Sequence, residues 1–161
     1  KIELLAQASP FQDCAEAILS VVHLFHPRSV LKDEALCRAG QPLTDLKIIS
    51  DGEAQIRAHS QSLVASIGRT AFVGITELLK DERVAGPGER AHEYTCIATT
   101  PMQVLSIHAA DVQRLPQEVQ RRLRREARLR LRFEHERSET LRRLDSTAPS
   151  SSSAAAAAAA A

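Results

Sequence analysis

The sequence predicts an α+β fold that is mainly β, with helices on both sides of a strand-rich centre. Two observations lead to this prediction. Residues 28–56 form three short apolar runs separated by turns, and Gly40 and Gly52 lie where antiparallel strands would reverse direction. The C-terminal part instead carries apolar residues at helical spacing. The length of 161 residues is enough for one domain and an appendage.

The N-terminal region, residues 3–25, predicts two short helices that are separated at Ser9-Pro10. Ser9 is a suitable N-cap, and Pro10 is a suitable first helical residue. Pro27 is expected to end the second helix. The apolar face of that helix comprises Ala17, Ile18, Val21, Val22, Leu24 and Phe25.

The central region, residues 28–73, predicts strands, of which Asp45–Ser50 is the clearest because a turn at Asp51-Gly52 closes it. A polar loop is expected at 80–90, with Gly86-Pro87-Gly88 at its tip. Two further strands are expected at 94–98 and 101–107. The predicted inward-facing side chains are Val30, Leu36, Leu46, Ile48, Ile56, Leu63, Val64, Ile67 and Phe72.

The C-terminal region predicts a short helix at 108–115 and, after Pro116, a long helix from 117 to about 144. Its apolar residues form a narrow stripe at positions 119, 123, 127, 131 and at 129, 133, 141, 144. We therefore divide the chain into a body (1–116), a basic helix (117–145) and a low-complexity Ser/Ala tail (146–161). The final alanines are either natural or a stand-in for residues of unassigned identity, and they carry no functional argument.

Charge is distributed unevenly, although the chain as a whole has a net charge of +1. Residues 1–116 contain 11 Lys/Arg and 14 Asp/Glu, whereas residues 117–145 contain 10 Arg and 6 Asp/Glu. The body is mildly acidic and the helix is basic. Nucleic acid is a less favoured partner for this helix, because acidic residues interrupt the arginines and only one aromatic residue accompanies them.

Cysteine and histidine patterns give no indication of a metal site or of catalysis. Cys14, Cys37 and Cys96 are far apart, so we expect small buried side chains in a reducing compartment. The six histidines lack metal-ligand spacing and are expected to be ordinary surface or half-buried residues. No pattern places a base beside a thiol, so an enzyme is not expected. No signal peptide and no membrane-spanning run is expected either.

The order of these segments resembles the cyclic nucleotide-binding domain family over about residues 4–140. The matching pieces are Ser9-Pro10-Phe11, Val30–Leu36 leading to Gly40, Leu46–Ile49 leading to Gly52-Glu53, Phe72-Val73-Gly74 before Glu77-Leu78-Leu79, Thr95–Ala98, and Val104–Ile107. The resemblance implies an eight-stranded β-roll of jelly-roll type, with N-terminal helices and a long C-terminal helix. One departure is Asp33, which stands where the family often has glycine.

The resemblance also implies a cassette that holds the cyclic phosphate. Such a cassette offers backbone N–H groups at a helix start, an acid just after a glycine, and an arginine followed by a small or hydroxyl residue. Here the acid is late, and the arginine position holds histidine. The residue after that histidine is Glu93, whose carboxylate would repel a phosphate. The candidate pocket residues are Gly74, Ile75, Glu77, Arg90, His92, Glu93 and Thr95.

These departures favour a scaffold that has lost high-affinity nucleotide binding, since losing one member of a buried charge pair costs about 2–5 kcal/mol. No cofactor is expected, and the alternative is a working sensor of cAMP or cGMP. A nucleic-acid-binding regulator is a second alternative.

We expect protein partners in a larger cytoplasmic assembly, or in a ciliary or flagellar one, as the resemblance implies. The basic helix is open to three interpretations: a solvated face, a nucleic-acid contact, or docking onto an acidic protein surface. The candidate partner-binding residues are Arg121, Arg125, Arg128 and Arg132.

Overall fold

The structure is a computed structural model, and it describes residues 1–58, 63–79 and 90–147, with side chains for all of these except residues 79 and 134–147. The chain divides into two compact units, Lys1–Arg128 and Leu129–Ala161. The first unit contains both sheets and the candidate site. The predicted polar loop falls almost wholly at 80–89, and so lies outside the described residues.

Eight strands in the described residues form two antiparallel four-stranded sheets, which confirms the predicted roll. The sheet orders are β1-β8-β3-β6 and β2-β7-β4-β5. The strands are β1 (His26–Val30), β2 (Ala35–Cys37), β3 (Asp45–Asp51), β4 (Ala54–Arg57), β5 (Leu63–Ile67), β6 (Phe72–Val73), β7 (Thr95–Ala98) and β8 (Met102–His108).

The first sheet is apolar on both faces, and its central strand β3 shows this most clearly. Ile48 lies opposite Leu105 on one side and Phe72 on the other. Successive side chains alternate between the two faces of a strand. Leu46 and Ile48 therefore join the apolar cluster on the helix side, while Ile49 joins the cluster between the sheets. The sheet thus separates two cores.

The helices in the described residues are α1 (Ile2–Gln7), α2 (Ala15–Val21) and α3 (Gln117–Thr147), with short 3-10 helices at Ser9–Phe11, Val22–Leu24, Glu77–Leu79 and Ala109–Arg114. The Phe11 and Phe25 rings meet edge to face, with centroids 5.8 Å apart. Such a pair adds about 0.5–1.5 kcal/mol to the free energy of burial. Val119, Leu123 and Ala127 of α3 are buried in the same helix-side cluster.

Several local predictions were wrong. Ser9 is the first residue of a 3-10 helix and caps nothing with its side chain. Pro27 does not end α2 but lies inside β1, an edge strand, where its missing N–H can face away from the sheet. Leu63 is 51% exposed because β5 is also an edge strand.

The backbone conformation of Asp33 explains why the resembled family often has glycine at this position. Its φ is +67°, in the left-handed region that glycine adopts most readily and Asp and Asn less readily. Its N–H donates to the carbonyl of Ala98 at 2.9 Å, which holds the turn against β7. The turn has therefore kept its conformation despite the different residue.

Candidate functional site

The candidate site is built where β6 ends and before β7 begins. Gly74 follows β6 with a φ of +92°, and an added Cβ would lie 2.8 Å from Leu43 Cδ1. This position therefore favours glycine for its backbone conformation, and a larger residue would also displace the Leu43 side chain. The 3-10 helix Glu77–Leu79 follows, and residues 90–94 return alongside it. The N–H of Gly40 and the carbonyl of Gln41 bond the backbone of His92 at 2.8 and 2.9 Å.

The Glu77 carboxylate lies at the centre of this site and is completely buried. It accepts hydrogen bonds from Thr76 Oγ1 at 2.8 Å, from His92 Nδ1 at 3.2 Å and from the Glu93 N–H at 3.4 Å. Its own backbone N–H is a fourth donor. Burial would raise the pKa of Glu77, but these donors outweigh it and hold the pKa below its usual value.

His92 is the cationic partner of Glu77 and is only 4% exposed. Burial would lower the pKa of its imidazole. Hydrogen bonds with the Cys37 thiol and the Glu77 carboxylate outweigh this effect and raise the pKa to about 9. His92 is therefore positively charged at neutral pH. The prediction that all six histidines are ordinary surface or half-buried residues was wrong for His92, because this residue is buried and paired with Glu77.

Tyr94 closes the inner side of the site. Its side chain is buried in the cluster between the sheets, and its hydroxyl bonds the Thr76 side chain and the Gly74 backbone. Burial and the nearby Glu77 charge raise the pKa of Tyr94 far above its usual value. Thr95 begins β7 and accepts a hydrogen bond from the Ala39 N–H at 3.1 Å. The side chains of Tyr94 and Thr95 therefore both form hydrogen bonds within the chain.

The remaining predicted pocket residues, Ile75, Glu93 and Arg90, differ in their burial and in their contacts. Ile75, at the position where the resembled family has its acid, is buried in the helix-side cluster. Glu93 is exposed and contributes its backbone N–H to Glu77. The carbonyl of Arg90 accepts from the Leu43 N–H at 2.6 Å. The Arg90 side chain lines a separate cavity of about 90 Å³, together with Ile75 and residues of the 3-10 helix Ala109–Arg114 and of α3.

The four predicted partner-binding arginines, Arg121, Arg125, Arg128 and Arg132, are all exposed. Arg121 donates to Glu118 at 2.9 Å. Glu118 also accepts from Arg122 at 3.0 Å. The first three of these arginines belong to the first compact unit and Arg132 to the second.

No group of three or more His, Cys, Asp or Glu side chains in the described residues could hold a metal ion. No helix in that part of the chain is long and apolar enough to span a membrane.

Comparison with known proteins agrees with the geometry of the roll. The cyclic nucleotide-binding domain matches residues 27–118, which is more than half of the sequence. The chain belongs to the cyclic nucleotide-binding domain family. No curated protein matches the sequence. The family is regulatory in type, which agrees with the expectation of a non-enzymatic module.

Solved structures of family members show the same fold at low sequence identity. A structure described as cAMP-bound PfPKA-R (141–441) has a TM-score of 0.71 at 17% identity, over 85% of this chain and 46% of that one. The Thermus thermophilus catabolite activator protein has a TM-score of 0.67 at 20% identity, over 83% and 63%. The regulatory subunit of a cAMP-independent protein kinase A from Trypanosoma brucei has a TM-score of 0.71 at 16% identity, over 86% and 48%. The chain therefore spans about half the length of each of the first and third of these solved chains.

Sequence reasoning named Glu77 and His92 as separate departures from the family pattern and missed that they bond each other. It also missed Thr76, Tyr94 and Cys37. For Thr76 a signal existed, since a hydroxyl directly before a buried acid can bond it. For Cys37 none existed, because only the folded sheet brings this residue to His92.

Proposed function

We propose that this chain is a non-enzymatic interaction module of the cyclic nucleotide-binding domain family whose own carboxylate takes the place of the nucleotide phosphate. The observation that carries the proposal is the buried Glu77 carboxylate with its four donors. These donors are the groups that a cassette offers to an anion: N–H groups at a helix start and a cation on the facing segment. The roll is then a rigid body that needs no ligand.

Electrostatic repulsion supports the loss of nucleotide binding. A phosphate in the cassette would lie beside the Glu77 carboxylate. Two like charges about 4 Å apart repel by about 4 kcal/mol at an effective dielectric constant of 20. That energy corresponds to roughly a thousand-fold in affinity. Affinity for a cyclic nucleotide is therefore expected to fall well outside the micromolar range.

The replacement of arginine by histidine acts in the same direction. A guanidinium presents a planar fork of donors that fits a phosphate with two parallel hydrogen bonds. The His92 ring is smaller, and its contacts are with Glu77 and Cys37. The chain thus offers a phosphate no equivalent fork at this position.

The alternative, a sensor of cAMP or cGMP, draws on the family and on the cAMP-bound neighbour. The Trypanosoma brucei neighbour is described as cAMP-independent and has the same TM-score. The shared fold therefore fits either function. The internal contacts of Glu77 favour the interaction module.

The exposed arginines of α3 support a protein partner with an acidic surface. Arg121, Arg125 and Arg128 of the first unit recur at helical spacing, so they lie on one side of that part of the helix. Glu118 and Glu126 lie among them, which disfavours the continuous phosphate backbone of nucleic acid. The resemblance alone suggests that the partner belongs to a cytoplasmic or ciliary assembly.

Calorimetric titration with cAMP and with cGMP tests the proposal. We expect no saturable heat for the natural chain up to about 1 mM nucleotide. The Glu118→Ala variant, which removes an exposed carboxylate, is the matched control and should behave identically. Saturation of the natural chain at micromolar nucleotide would overturn the proposal in favour of the sensor. Tight duplex-DNA binding that weakens steeply with salt would instead support the nucleic-acid regulator.

A further inference from the structure

Two of the three cysteines lie directly opposite each other in the folded chain. Cys37 of β2 is the cross-strand partner of Cys96 of β7. Both are free thiols, and they are 3% and 0% exposed. Nothing in the sequence indicates this pairing, because the two residues are far apart along the chain.

The register gives the pair the spacing of a disulfide. Directly opposed residues in an antiparallel ladder have Cα atoms about 4.5–5.5 Å apart. Disulfides span Cα separations of about 4.4–6.8 Å. Opposed residues also point to the same face of a sheet. Both side chains belong to the apolar cluster between the two sheets, which places the two sulfur atoms in the same interior space.

We propose that Cys37 and Cys96 form a reversible disulfide, with hydrogen peroxide as the oxidant. The Cys37 sulfur attacks one peroxide oxygen, so that the O–O bond breaks, the sulfur becomes a sulfenic acid and one water leaves. The Cys96 sulfur then attacks the Cys37 sulfur, and the S–O bond breaks with loss of a second water. Two thiols and one peroxide thus give one disulfide and two waters. A small dithiol reverses the reaction by thiol–disulfide exchange.

Cationic groups lie beside both sulfur atoms. Cys37 bonds the His92 ring, and its Sγ lies 3.7 Å from the Tyr94 carbonyl oxygen. Cys96 lies near the buried ammonium of Lys47. Burial and the neighbouring Cys37 nevertheless raise the pKa of Cys96 to about 12. We assign the first attack to Cys37, because it lies on the edge strand of its sheet and beside the His92 ring.

The position of β2 provides access to these buried thiols. β2 has three residues and lies at the edge of its sheet, where β7 is its one paired neighbour among the described strands. The register shifts between Ala35 and Cys37, which interrupts the ladder beside the thiol. Short edge strands with irregular pairing open locally at low free-energy cost. A peroxide molecule can thus reach Cys37 without global unfolding.

Peptide mapping of the unsubstituted chain after peroxide treatment tests the proposal. Remaining thiols are alkylated under denaturing conditions, and the protein is digested without reductant. We expect a peptide pair linked through Cys37 and Cys96 within one chain, with alkylated Cys14. We also expect the thermal midpoint to rise by about 10 °C, because the link closes a long loop in the unfolded chain, and to return after dithiothreitol treatment.

Single variants locate the link. Cys14→Ser is the matched control and should keep the linked pair, while Cys37→Ser and Cys96→Ser should each lose it. A folded, oxidised natural chain in which both cysteines are still alkylated would overturn the proposal. A link through Cys14 or between chains would do so too, as would a link that forms only after the far-ultraviolet circular dichroism of the folded chain is lost.

Discussion

Two carboxylate–cation pairs of this molecule have similar distances and opposite surroundings. Glu77 and His92 meet at 3.2 Å, with side chains that are 0% and 3% exposed. Glu118 and Arg121 meet at 2.9 Å, with side chains that are 48% and 75% exposed. Distance alone would rank the pairs as equals. Burial separates them, since a buried ion that loses its partner is left in a low dielectric, whereas an exposed ion regains water.

The difference indicates which charged side chains of this domain are available to bind other molecules. In the cassette, the Glu77 carboxylate and the His92 cation bond each other and neighbouring groups, so neither is available to another molecule. On α3 the candidate arginines are exposed, and the pair between Arg121 and Glu118 exchanges easily with water. We therefore expect the cassette to contribute to stability and the helix to contribute to recognition.

The largest expected effect comes from removing the buried carboxylate. Glu77→Ala should lower the free energy of unfolding by about 3–5 kcal/mol at pH 6, because it leaves the buried His92 cation without its partner. Glu118→Ala, the matched exposed variant, should change it by less than about 1 kcal/mol. Urea denaturation measures both. Equal losses in the two variants would remove the distinction between the pairs.

The next largest effect is a dependence of stability on pH. The pKa of His92 is raised from its usual 6.5 to about 9, so its stabilising contribution is complete below 6.5 and is lost as pH rises through 9. The free energy of unfolding should fall by up to about 3 kcal/mol over this interval. The lowered pKa of Glu77 adds stability above about pH 4.5 that is lost on acidification. Denaturation of Glu77→Gln between pH 6.5 and 9 should show a smaller fall, and an unchanged profile would rule out the pair as its origin.

A hydroxyl comparison sharpens the contrast further. Thr76 Oγ1 donates to the buried Glu77 at 2.8 Å, and Thr44 Oγ1 donates to Asp45 at 3.1 Å on the surface. Thr76→Val should destabilise by about 1.5–3 kcal/mol, because the hydrogen bond is buried and goes to a charged group. Thr44→Val should change stability by no more than a few tenths of a kcal/mol. Equal losses of unfolding free energy in the two variants, measured by urea denaturation, would contradict the view that burial makes the Thr76 hydrogen bond the stronger one.

The smallest effect is expected on the exposed pair itself. Arg121→Gln should destabilise by about 0.2–1 kcal/mol at low salt. The difference should shrink in 1 M NaCl, where the Debye length falls to about 3 Å. The effect of Thr76→Val should persist at the same salt concentration. A salt-resistant effect at Arg121 would mean that this arginine has a structural role that its exposure does not indicate.

The sequence predicted most of the fold and only part of the site, for physical reasons that differ between the two. The apolar run in Asp45–Ser50 and the helical spacing at Val119, Leu123 and Ala127 are local patterns, so strands and helices follow from them. Leu63 was placed wrongly because an apolar residue on an edge strand has the same local pattern as one inside the roll. The position of His92 could be predicted from the resemblance, but its bonds could not.

Long-range bonding accounts for what the sequence missed in the site. Glu77 and His92 lie on segments that meet only after the chain has closed the roll, and Cys37 reaches His92 from another strand. Neither contact can be recognised from the spacing or the composition of residues in the sequence. A buried acid and a histidine at the arginine position are separately ambiguous, and only their 3.2 Å contact makes them a pair.

The titration of His92 by nitrogen-15 NMR tests most directly whether an internal carboxylate occupies the cassette. The ring nitrogens report protonation, and the Glu77→Gln variant isolates the contribution of the carboxylate. We expect a pKa near 9 in the natural chain and a clearly lower one in the variant. A value near 6.5 in the natural chain, unchanged by the variant, would contradict the account.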